Sequence, residues 1–80
     1  MILRRTVEGA DGVYRIFETR PGVFHVLDGG GRTVDEFDVV DTKTDKGTMM
    51  RAFRRGPLAP GAPNLAASFV RDLNVARMRD

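Results

Sequence analysis

Three turn signals in the first forty residues restrict the fold of the chain more than any other feature. Gly9-Ala10-Asp11-Gly12, Pro21-Gly22 and Asp28-Gly29-Gly30-Gly31 separate short runs rich in β-branched and aromatic residues. Pro21-Gly22 suits the two central positions of a type II turn, where proline presets φ and glycine accepts a positive φ. The glycine triplet is a hairpin signal between Val23–Leu27 and Thr33–Val40. With Ile2–Val7 and Val13–Thr19, this gives a four-stranded antiparallel meander within residues 2–40.

Beyond Val40 the pattern changes. Asp41-Thr42-Lys43-Thr44 offers helix N-cap candidates, and Met49, Met50 and Phe53 fall on one helical face, predicting a helix over about residues 45–55. Gly56-Pro57 would stop it, and residues 56–63 read as a connecting loop. Asn64 can cap a second helix over about 64–78, whose apolar stripe is Ala66, Phe69, Val70, Leu73 and Ala76. The expectation is an α+β fold, a four-stranded antiparallel β-sheet packed on one face by two short C-terminal α-helices. At 80 residues this is one domain, 1–80.

Register follows from the turns. If Arg20 faces Val23, Phe17 lies opposite Val26 and Glu18 opposite His25. If Asp28 faces Arg32, Val26 meets Val34 and His25 meets Asp35. One face then carries Val13, Phe17, Phe24, Val26 and Val34 and is expected to form the core. The other mixes Tyr14, Ile16, Val23, Leu27 and Phe37 with a charged row Glu18–His25–Asp35. A one-residue slip in the glycine loop would exchange the faces of Thr33–Val40.

Composition excludes several chemistries. The chain has no cysteine, which removes disulfides, Cys-ligated metal and thiol catalysis. One histidine and one serine leave little for a catalytic centre, and no cofactor or metal is implied. His25 reads as a surface residue in a cross-strand charge pair, and the glycine triplet as a hairpin tip rather than a phosphate cradle. No apolar run approaches the ~20 residues of a membrane span, and a soluble protein in the cytoplasm of a bacterial host is expected. The net charge is +2, but its distribution is uneven. Asp28–Asp45 holds six acids against two bases, and Lys46–Asp80 seven bases against two acids. Arg51, Arg54, Arg55, Arg71 and Arg77 could form a stripe along a phosphate backbone if two helices lay side by side. The blander reading is that they are solvated helix faces. No exposed aromatic run of the RRM kind and no helix-turn-helix pattern accompanies them.

The mixed sheet face is the stronger functional candidate, because aromatic and aliphatic anchors with a charged rim are what protein interfaces use. A homodimer contact would account for it as well as a different protein partner. At this point the chain resembles the small anti-CRISPR proteins of phages and mobile elements. Phe37-Asp38 at a strand end, Met49–Phe53, the Gly56–Pro63 loop and the Asn64–Arg79 segment stand where that class has comparable elements. The resemblance implies a non-enzymatic inhibitor that binds a type I CRISPR surveillance complex (Cascade) and blocks its binding of target DNA. It implies contacts through Tyr14, Glu18, His25 and Asp35 on the sheet face, and the neighbouring acids Glu36 and Asp38 would meet basic grooves on the partner. The alternative is a small nucleic-acid-binding module using the five arginines.

Overall fold

The structure, a computed structural model, describes residues 1–79. Five strands precede one helix: β1 (Ile2–Gly9), β2 (Gly12–Arg20), β3 (Val23–Leu27), β4 (Thr33–Thr44), β5 (Gly47–Arg54) and α1 (Leu65–Arg79). The strands pair antiparallel in chain order, β1-β2-β3-β4-β5. Helix α1 is tied to both edge strands: Asp72 accepts a hydrogen bond from Arg5 of β1, and the Asn74 amide pairs with Met50 of β5. The sheet curls around the helix.

The α+β class and the C-terminal helix agree with the sequence reading, but the element count does not. Residues 47–54 form a strand rather than the expected helix, so the sheet has five strands and one helix covers it. The physical reason is the hairpin at Thr44–Gly47. Thr44 Oγ1 donates to the Gly47 carbonyl at 2.7 Å and accepts from the Lys46 N–H at 3.2 Å. Gly47 has φ 116°, a conformation that side-chain-bearing residues rarely adopt. This turn sends the chain back along β4, where Asp41–Thr44 extends the strand that was expected to end at Val40. Gly47 and Thr48 are also poor helix formers, so a helix there had little local support.

Both expected turn anchors are present. Arg20 faces Val23, Gly22 has φ 80°, and Asp28 N–H donates to the Arg32 carbonyl at 2.9 Å. The register beyond each anchor is nevertheless displaced by one residue, because each is followed by a bulge. Ile16 faces Val26 and Phe17 faces His25, in place of Phe17 with Val26 and Glu18 with His25. Val26 faces Asp35 and His25 faces Glu36, in place of Val34 and Asp35. Ile16 and Phe37 therefore turn inward beside Phe24 and Val26, while Val13 and Phe17 turn outward. The row Glu18–His25–Asp35 does not form.

The core is built from Ile16, Phe24, Val26, Val34 and Phe37 of the sheet with Leu65, Ala66 and Phe69 of α1. Phe24 and Phe37 stack at 5.4 Å between ring centroids, and Phe69 meets them edge-on at 5.1 and 6.2 Å. Each such pair adds about 0.5–1.5 kcal/mol beyond area burial. The helix stripe is largely the expected one, with Ala66, Phe69 and Val70 buried and Leu73 partly so; Ala76 stays exposed. Loop 56–63 packs as part of the fold, since Ala59 N–H donates to the Val34 carbonyl at 2.9 Å.

Candidate interaction surface

The two bulges sort the candidate residues onto opposite faces. Tyr14, Glu18 and Asp35 lie on the inner, helix-bearing face; His25, Glu36 and Asp38 lie on the outer face. Asp35 is 3% exposed, so it is unavailable to a partner. Its two carboxylate oxygens accept from Arg54 Nε and Nη2 at 2.8 and 2.9 Å, and Nη2 also donates to Asn64 Oδ1 at 2.8 Å. This bidentate pair raises the Arg54 pKa further above its usual value. Glu18 is likewise committed within the fold. Its Oε2 accepts the Gly22 N–H at 2.9 Å and its Oε1 bonds Arg4. The Gly22 N–H is the main cause of its lowered pKa, with Arg4 adding to it and burial opposing both. Tyr14 packs half-buried against the core.

No helix covers the outer face. One row across it runs Leu3–Phe17–His25–Glu36, and another Arg20–Val23–Asp38–Phe53. Val40, Arg51 and Met49 continue the apolar surface toward the β4–β5 turn. Leu3, Val40, Met49 and Phe53 are 44–51% exposed. Charges alternate with them: Arg55 Nε donates to Asp38 Oδ1 at 2.7 Å, and His25 Nε2 lies 3.6 Å from Glu36 Oε2. This is a broad, gently curved surface of separate apolar side chains between charge pairs. Its chemistry is contact, through burial of apolar area with ionic groups setting orientation.

The five candidate arginines do not form a stripe, because their helix-on-helix arrangement does not exist. Arg54 is bound to Asp35, Arg55 to Asp38 and Arg77 to Asp41 at 3.0 Å, while Arg71 lies 3.6 Å from Asp72. Arg51 alone of the five has no carboxylate within ion-pair distance among the described residues. Leu3, Phe17, Val40, Met49 and Phe53 were not among the expected contact residues. The available signal was strand alternation, Met49, Arg51 and Phe53 at every second position, which the helical reading of the same segment obscured.

Among the described residues no group of three or more His, Cys, Asp or Glu is placed to hold a metal ion, and no helix is long and apolar enough to cross a membrane. Comparison with protein-family models, curated proteins and solved structures finds no match to this chain.

Proposed function

We propose that this chain is a non-enzymatic binding protein that lays the outer face of its sheet against a protein partner. The observation that carries the reading is the exposure of Leu3, Val40, Met49 and Phe53 on a sheet face that no helix covers. Phe17 and Val23 lie between them, and His25, Glu36, Asp38 and Arg55 supply a charged frame. Apolar side chains gathered on one uncovered face and rimmed by charge are the kind of surface that marks interaction sites.

The most specific form of this reading is inhibition of a type I CRISPR surveillance complex, as the resemblance implies. Of the elements on which the resemblance rests, the loop at 56–63 and helix α1 are present, whereas Phe37-Asp38 lies within β4 rather than at a strand end and Met49–Phe53 is a strand instead of a helix. In this form His25, Glu36 and Asp38 remain contact residues, joined by Phe17, Met49 and Phe53, and Tyr14, Glu18 and Asp35 act only by holding the sheet.

A gel-shift series tests it, with labelled target DNA mixed with this protein, with the surveillance complex, and with both. Loss of the complex's shift in the premix, reversed by Phe53→Ser, is the expected result. An undiminished shift overturns the inhibitor form. A shift by the protein alone that weakens steeply with salt would move the assignment to nucleic acid and to Arg51 and Arg71.

A further inference from the structure

Strand β5 forms one edge of the sheet, and helix α1 caps only part of that edge. Met50 N–H donates to Asn74 Oδ1 at 2.9 Å, and Asn74 Nδ2 donates to the Met50 carbonyl at 3.0 Å. Both main-chain groups of Met50 therefore point away from β4. The pairing of β4 with β5 is unbroken from Phe37↔Arg54 to Thr44↔Gly47. In an antiparallel ladder this orientation repeats at every second residue, so Ala52 and Arg54 also turn their N–H and C=O outward. The main-chain bond from Arg55 N–H to the Glu36 carbonyl, 2.8 Å, fits the same alternation.

These outward groups open into a channel of about 320 Å³ between β5 and α1, lined by Arg51, Ala52, Arg54, Ala66, Ala67 and Val70. Two clamps bound it. At one end the short Asn74 side chain reaches Met50; at the other the long Arg54 side chain reaches Asn64. The helix therefore runs antiparallel to β5. Between the clamps the helix presents alanine, which leaves space for another side chain. Asn74 already makes the pair of bonds that a peptide group would make with Met50.

We infer that this channel takes a short, extended, acidic peptide segment, added to the sheet as a strand on β5. The ligand's backbone pairs with Ala52 and Arg54. Its alternate small apolar side chains turn toward Ala67 and Val70, and its intervening carboxylates turn toward Arg51. The acidic preference rests on Arg51, which lines the channel and whose guanidinium has no carboxylate within ion-pair distance among the described residues. This surface adjoins the outer face at Arg51, whose side chain lies on that face.

The test uses a peptide of alternating aspartate and valine, about six residues long, enough at ~3.3 Å per residue to pass the outward positions of β5. It is titrated into the ¹⁵N-labelled full chain beside a copy N-methylated at alternate residues. The expected result is amide perturbation centred on Ala52, Arg54, Ala67 and Val70, with about tenfold or greater weakening on N-methylation, as loss of backbone hydrogen bonds requires. Ala52→Pro removes an N–H that the ladder does not use, and should fold while weakening binding to a similar degree. Equal binding of the two peptides, perturbation centred on Phe17 and His25, or no perturbation at millimolar peptide would each overturn the inference.

Discussion

Asp35 and Asp38 lie three residues apart on β4, on opposite faces of the sheet, and each bonds one of two consecutive arginines. Asp35 takes Arg54 at 2.8 Å on the inner face, and Asp38 takes Arg55 at 2.7 Å on the outer face. The donors and distances are nearly the same, but the surroundings are not. The Asp35 side chain is 0% exposed and sits under the loop and the start of α1, whereas Asp38 is 35% exposed. In the first setting the arginine is what makes a buried carboxylate tolerable; in the second, water could replace it. The comparison separates the part of this molecule that maintains the fold from the part free to make contacts.

The largest effect should follow from breaking the inner pair on its charged, reachable side. Arg54→Ala leaves Asp35 buried without its partner and also releases Asn64 at the head of α1. Removing one member of a buried pair costs about 3–5 kcal/mol. Arg54 itself is 32% exposed, so water can partly reach the vacated space, and the lower end, about 3 kcal/mol, applies. For a domain of this size that corresponds to a fall in Tm of about 15 °C. Replacing both partners, Asp35→Leu with Arg54→Met, should recover most of the loss, because no orphan charge remains. Thermal melts of the single and double variants check this, and a double variant no better than Arg54→Ala would break the account.

The same contrast explains what could be read from the sequence. Pro21-Gly22 and the glycine triplet act through local dihedral preferences, and their turns form where the residues require them. The apolar stripe of α1 is equally local. The bulges are less legible. The first is accompanied by a local side-chain bond, Glu18 accepting the Gly22 N–H, but at the second the Val34 carbonyl accepts the N–H of Ala59 from a loop twenty-five residues later. Nothing beside Val34 in the sequence announces that contact. One displaced residue at each site then moved Ile16 and Phe37 inward and parted Asp35 from His25. Met49, Met50 and Phe53 fit both periodicities, and only pairing with the far half of β4 decides for a strand. The interaction surface was therefore anticipated as a kind of face, while its membership depended on long-range contacts.

Glu18 lies between the extremes, since its carboxylate fastens a turn at the margin of the inner face. Its folded pKa is lowered from 4.5, chiefly by the Gly22 N–H and further by Arg4. The charged form is thus favoured in the folded state. Its stabilisation is fully present above the unfolded value and disappears as pH falls through the folded one. Glu18→Gln should cost about 1 kcal/mol near neutral pH, a figure reduced for solvent access to the side chain. The difference between wild type and variant should shrink as the pH is taken below 4.5. Urea denaturation of both proteins across that range measures it, and a gap independent of pH would mean that the carboxylate's charge is not what holds the turn.

The smallest effect on folding should come from the outer pair, where the comparison is sharpest. Arg55→Ala and Asp38→Ala should each change stability by no more than about 0.5 kcal/mol, and a double-mutant cycle should find little coupling. Phe53→Ser should also leave folding almost unchanged, because Phe53 is 51% exposed. If the outer face is a contact surface, these same substitutions should weaken partner binding while the melts stay in place. Loss of stability comparable to that of Arg54→Ala would instead make the outer pair part of the scaffold. Near-silent folding combined with lost binding is the pattern that distinguishes an interface from a core, and it is accessible by changing two neighbouring arginines.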